Sequence, residues 1–183
     1  MTFNSKILSH IFSYQIFFAT VLIGAMSNNA SAKNLVYENN WAYLADTVMG
    51  GVSQGGAEFS AGALRLTGQV STKNNGGFIQ VRTRIDSTAA MGKSGIKIKV
   101  KGNGDVYYLH VRNASARLPW QYYTASFKTS EKWKDISISF DEFEKSATLM
   151  PRKLKPESIK TIGLVANGKD HEADVSLANL EFY

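Results

Sequence analysis

The chain has 183 residues, a formal net charge of +6, no cysteine and three histidines, with 44% hydrophobic and 20% charged residues. Without cysteine there are no disulfides, thiolate zinc sites, iron–sulfur clusters or cysteine nucleophiles, and so few histidines argue against a histidine-rich metal centre. The composition is that of a globular domain and excludes both a disordered chain and a membrane bundle.

In chain order, Lys6 precedes an apolar run from Ile16 to Met26, closed by Ala30-Ser31-Ala32. That is the charged start, apolar centre and small-x-small end of a secretory leader. Ser13, Tyr14 and Gln15 interrupt the run before the roughly 20 apolar residues a spanning helix needs. Residues 1–32 are therefore expected to be a signal peptide, and residues 33–183 a single domain that is periplasmic or secreted, with no stable membrane insertion. The basic residues fall in short alternating sets such as Lys97, Lys99 and Lys101, not in a helix stripe or arginine-rich block. A solvated sheet face is expected from them, and no nucleic-acid partner.

Beyond the leader, period-two alternation dominates. Residues 63–70 place Leu64, Leu66 and Val70 on one side; residues 77–84 place Ile79, Val81 and Thr83 opposite Gln80, Arg82 and Arg84. Residues 95–101 alternate Ile96, Ile98 and Val100 with three lysines, which also fit a guard against edge-to-edge pairing. The tetrad Gly102-Asn103-Gly104-Asp105 then predicts a hairpin to a strand at 106–112. Further strands are expected at 122–127, 135–140, 161–166 and 173–183, the last with a bulge near Ala178 where the apolar parity switches. Helical signal is confined to one turn at 141–144 and a short turn at 155–159. So many short strands, separated by glycine and asparagine, predict an all-β, antiparallel two-sheet sandwich.

Two glycine-bearing blocks stand out: Asp46-Thr47-Val48-Met49-Gly50-Gly51-Val52-Ser53 after Trp41, and Asn74-Asn75-Gly76-Gly77-Phe78-Ile79-Gln80-Val81-Arg82. They resemble the signature blocks of the complex I intermediate-associated protein 30 family. The order of the later segments is also similar: Tyr107-Tyr108-Leu109-His110-Val111-Arg112, Trp133 ahead of Ile136-Ser137-Ile138-Ser139-Phe140, then Ile162-Gly163-Leu164. The stretch after Phe143 departs from the family pattern, being reduced to Leu149-Met150-Pro151-Arg152-Lys153. The family includes a mitochondrial assembly factor for respiratory NADH dehydrogenase and exported bacterial members. The resemblance implies a galactose-binding-domain-like jelly roll and a non-catalytic assembly factor or chaperone that binds a protein partner, here in the cell envelope.

Physically, each block reads as a tight corner leading into a strand. In one reading Asp46, Ser53 and Asn75 only satisfy backbone donors in those corners. In the other, the corners converge and Asp46, Ser53, Asn75 and Arg82 form a polar pocket, with Asp46 pairing Arg82. Strand parity marks a second surface: Tyr108, His110 and Arg112 on one face, joined by Trp120 and Tyr122, with Gln80, Arg82 and Arg84 added if their strand lies beside the others. Aromatic rings interleaved with planar donors suit a carbohydrate or small ligand, and the same pattern also fits a half-buried sheet face. Gly51-Val52-Ser53-Gln54-Gly55 matches a nucleophile elbow in letters but lacks the strand-to-helix setting. No catalytic residue, metal or cofactor is expected.

Overall fold

The computed structural model describes residues 33–183 except Ser87. The expected signal peptide lies outside the described residues. Among these, no helix is long and apolar enough to cross a membrane.

A one-turn helix, α1 (Leu35–Glu38), precedes eleven strands: β1 (Trp41–Ala45), β2 (Gln54–Ser60), β3 (Ala63–Val70), β4 (Phe78–Arg84), β5 (Gly95–Gly102), β6 (Val106–Asn113), β7 (Tyr123–Lys128), β8 (Lys134–Ser139), β9 (Glu144–Lys145), β10 (Ile159–Asn167) and β11 (His171–Phe182). They form two antiparallel sheets, one ordered β1-β4-β10-β6-β7-β9 and the other β2-β3-β11-β5-β8. Alternation decides which face of each strand turns inward. On β4 it is Ile79, Val81 and Thr83, and on β6 Tyr107, Leu109 and Val111, all buried. Across the core they meet Leu66, Ile98, Leu177 and Leu180 of the second sheet, each fully buried. The predicted all-β sandwich is the observed fold.

The bulge falls where expected: the β11–β5 register slips between Leu177 and Asn179, leaving Ala178 unpaired. Asn34 clamps it, donating through Nδ2 to the Ala178 carbonyl at 2.9 Å and accepting through Oδ1 from the Leu180 N–H at 3.2 Å. The same Oδ1 caps α1 at the Val36 N–H. The two short turns expected at 141–144 and 155–159 are 3-10 turns, Phe140–Glu142 and Pro156–Ser158. In the first, Glu142 reaches back to the Ser139 N–H at 2.7 Å, which completes a capping box.

Two expectations need correction. The tetrad after β5 does not close a hairpin, because β5 belongs to the five-stranded sheet and β6 to the six-stranded one. The link crosses the end of the sandwich. Gly102 N–H donates to Ser130 O at 2.8 Å and Asn103 N–H to Asp174 O at 3.1 Å. The Tyr107 hydroxyl donates to Asn103 Oδ1 and accepts from the Asp174 N–H, both at 2.8 Å. Two inward-facing strands look the same in sequence whether they share a sheet or oppose each other. Second, β5 is an interior strand, between β11 and β8, so its lysines guard no edge. Lys101 instead stands over the Trp133 ring, 5.1 Å from its centroid.

Candidate functional site

The two glycine corners do meet, around Asp46. This residue opens a 3-10 turn (Asp46–Met49) directly after β1 and is fully buried. Its carboxylate accepts from the Ser53 N–H at 2.9 Å, the Ser53 hydroxyl at 2.5 Å, the Gly77 N–H at 2.5 Å and the Phe78 N–H at 3.2 Å. A Cβ on Gly51 would stand 2.4 Å from Oδ1, and one on Gly76 would stand 2.5 Å from Oδ2 and 3.1 Å from the Gly51 Cα. Glycine is required at both places so that backbone can wrap the carboxylate. Burial raises the Asp46 pKa, but the bonds from Gly77, Ser53 and Phe78 outweigh it and hold the carboxyl below its ordinary value.

The expected polar pocket is therefore not formed there. Asp46 is satisfied by backbone N–H groups and one hydroxyl, so it does not pair with Arg82, which lies on the exposed outer face of β4. Ser53 is buried; its hydroxyl donates to Asp46 and accepts from the Ser71 N–H at 2.9 Å, which leaves no nucleophile. Asn75 is exposed with φ +58°, and Asn74, not Asn75, bridges the corners through Nδ2 to Gly50 O at 3.4 Å. The corner is architectural, and one consequence is that the turn it anchors holds Val48 and Met49, both 64% exposed, above the sheet.

Those two side chains form one wall of a groove of about 260 Å³ on the outer face of the six-stranded sheet. Its floor is set by strand register. β10 runs between β4 and β6, so Gly163 faces Arg82 on one side and His110 on the other, and Thr161 faces Arg84 and Arg112. Between Arg82 and His110 the floor lacks a side chain. Gln80 and Phe78 from β4, Val165 and Asn167 from β10 and Leu44 from β1 complete the lining on that side.

The other wall is the 114–122 loop, which carries Pro119, Trp120 and Tyr122 into the lining. Arg112 pins it: Nε donates to Gln121 O at 3.1 Å, and Nη2 donates to Ala116 O at 3.2 Å and Leu118 O at 2.9 Å. Gln121 Oε1 accepts from the Arg117 and Leu118 N–H groups at 2.8 and 3.0 Å. From the far side Ser146 donates to Trp120 O at 2.7 Å and accepts from the Tyr122 N–H at 2.9 Å. So tethered, the loop leaves the Trp120 side chain 61% exposed. Tyr122 lies flat on His110, with ring centroids 4.0 Å apart and planes 15° from parallel. Burial lowers the His110 pKa to about 4, so the imidazole is neutral near neutral pH. Its Nε2, and the hydroxyl of its cross-strand partner Thr124, are buried without a hydrogen-bond partner.

Of the sequence candidates, the structure brings Arg82, His110, Arg112, Trp120 and Tyr122 to this groove. Tyr108 shares the face and tilts toward His110 at 6.4 Å but lies outside the lining. Gly163, Val48, Met49 and Asn167 also line the groove without being among the site candidates read from the sequence, although the first three lie in the family-like segments. The one available signal was a glycine in the otherwise apolar strand 161–166. Among the described residues no cluster of three or more acidic or histidine side chains is placed to hold a metal.

The family model for complex I intermediate-associated protein 30 matches residues 30–178, nearly the whole of the described domain. The chain belongs to the complex I intermediate-associated protein 30 family. No curated protein matches this family member in sequence. Among solved structures it is similar to the family 11 carbohydrate-binding module of a cellulosomal cellulase from Clostridium thermocellum, at TM-score 0.67 and 14% identity, over 82% of this chain and 93% of that one. The Clostridium thermocellum family 11 module in complex with a β-1,3-1,4-mixed-linked tetrasaccharide is similar at TM-score 0.64 and 14% identity, over 78% and 88%. A family 30 carbohydrate-binding module is similar at TM-score 0.51 and 13% identity, over 73% and 91%. At such identities the likeness concerns the fold, so this complex I intermediate-associated protein 30 family member has a jelly-roll sandwich of the kind those modules share.

Proposed function

We propose that this family member is a non-catalytic binding module whose groove on the six-stranded sheet takes a glycan chain, and that it acts outside the cytoplasm after a leader is removed at Ala32. The observation that carries this reading is the exposed Trp120 ring facing planar donors across a floor opened by Gly163. A pyranose presents a C–H face that packs on an aromatic ring and hydroxyls that need directional partners. Trp120 and Tyr122 offer the first, and Gln80, Asn167 and Arg82 the second. The sandwich shared with carbohydrate-binding modules supports the same direction by analogy of fold.

Affinity electrophoresis and calorimetry against a panel of soluble polysaccharides test this. Trp120→Ala is expected to weaken the best ligand about tenfold, the usual size of a lost aromatic contact with its buried area, and Tyr122→Ala to do the same. Thermal midpoints should stay near wild type for Trp120→Ala, since that ring contributes little to the core. A flat response across the panel would remove the reading, and a mature amino terminus other than Lys33 would correct the cleavage site.

A second reading, a protein partner in the cell envelope, is favoured by family membership and by the apolar rim. Val48, Met49, Leu118 and Trp120 are all 40% exposed or more, the kind of patch that marks interaction surfaces. A photo-crosslinking residue at position 49 separates the two readings: one defined envelope subunit captured there, together with no glycan binding, would favour the protein partner.

A further inference from the structure

The groove is charged on one side only. Its lining includes two guanidinium groups, Arg82 and Arg112, and no aspartate or glutamate. Arg112 spends its Nε and Nη2 N–H groups on backbone carbonyls, which hold the loop but do not neutralise the charge. Arg82 stands two residues along the sheet, opposite Gly163, where Arg112 faces Thr161. The ion pairs recorded among the described residues lie elsewhere, at Arg65–Asp174, Lys153–Asp141 and Lys169–Asp105. Burial first, and then the neighbouring Arg82 charge, lower the Arg112 pKa. Like charges brought near each other repel, and no carboxylate of the lining offsets them. Here the position between them is open to the groove.

We infer that the glycan accepted by this groove is acidic, with a ring carboxylate of a uronic acid received by Arg82 beside Arg112. The inference rests on the glycan reading above. Arg82 has its full planar fork available, and a carboxylate matches that fork with two parallel N–H···O bonds. The neutral parts of the same sugar then lie against Trp120 and Tyr122. A sulfate ester offers the same kind of oxygen acceptor, so the shared requirement is a ring-borne anion, and the carboxylate is the better geometric match to one guanidinium.

The test compares oligogalacturonate, a sulfated galactan oligomer, a neutral mixed-linkage glucan oligomer and an oligoglutamate of equal length and charge, each titrated by calorimetry at two salt concentrations. Expected is about tenfold tighter binding of oligogalacturonate than of the neutral oligomer, narrowing as salt is raised. Arg82→Gln should abolish that preference. Lys99→Gln, which removes the same charge from the exposed outer face of the other sheet, should retain it. Equal affinity for acidic and neutral oligomers overturns the inference and leaves the glycan reading standing. Tighter binding of the sulfated oligomer replaces carboxylate by sulfate. Oligoglutamate binding as tightly as the uronate, or an equal loss in Lys99→Gln, shows unspecific attraction and overturns it. Absence of binding by all three saccharides ends the glycan reading as well.

Discussion

Asp46 is a buried carboxylate held without a cation. Three backbone N–H groups and the Ser53 hydroxyl supply the compensating dipoles, and these are preorganised because β1, the Gly51 corner and the Gly76 corner all end at that point. Removing the charge while keeping the shape reverses the chemistry, since an amide presents N–H toward N–H. Asp46→Asn is expected to lower the unfolding free energy by about 2–4 kcal/mol, the range for a buried charge-assisted network left mismatched. Urea denaturation with a shared slope for both proteins measures it; a loss under ~1 kcal/mol would show that the corners hold without this carboxylate. The type of residue at 46, 51, 53 and 76 was legible as two turns in the sequence. Their common object was not, because a carboxylate that bonds a residue 31 positions away leaves no local pattern.

At the scale of the strands, β4, β10 and β6 build the floor, and the alternation of each strand was readable before their adjacency was. Gln80 and Arg82 were known to share a parity, but β10 comes between β4 and β6, and this makes Gly163 the centre of the groove. A Cβ there would approach Gln80 Oε1, the movable end of its side chain, to 3.2 Å, and would meet Arg82 Cβ at 3.4 Å and the Val81 carbonyl at 3.5 Å, ordinary contacts. Gly163→Val suits an extended strand, so the fold is expected to survive while the branched side chain occupies the space between Arg82 and His110. Ligand affinity should fall about tenfold or more with the thermal midpoint little changed. Unchanged affinity, measured by the same calorimetry, would place the ligand elsewhere. The misread link between β5 and β6 belongs to this scale too. Its glycines and asparagine mark a reversal correctly, but a reversal within a sheet and a crossing between sheets use the same residues.

For the whole molecule, acid stability follows from how the groove is built. The imidazole of His110 binds its proton near pH 4 in the folded chain against 6.5 ordinarily, because it is buried under Tyr122. Between those values the unfolded chain holds more protons, so stability is fully present above pH ~6.5 and declines as pH falls toward 4, by ~3 kcal/mol. Asp46, held below its ordinary 3.8, adds its own loss only at lower pH. Thermal midpoints measured from pH 7.5 to 4.5 should therefore fall, and fall less in His110→Gln. Parallel curves for the two proteins would show that the histidine does not carry the effect.

Composition and alternation by themselves determined an all-β sandwich, the inward residues of its main strands, the bulge at Ala178 and the two short turns, since each follows from neighbours within a few residues on the chain. The edge strands β1, β2 and β9 escaped notice: β1 is a short apolar run without polar alternation, and exposed, glycine-bearing or two-residue strands have no apolar period to detect. Tertiary structure alone decided that Arg82 turns away from Asp46, that β10 inserts a glycine between Arg82 and His110, and that the turn at 46–49 and the loop at 114–122 face each other across it. Strand order and sheet assignment depend on contacts between segments far apart in sequence, and a period of two records only which side of a strand is dry.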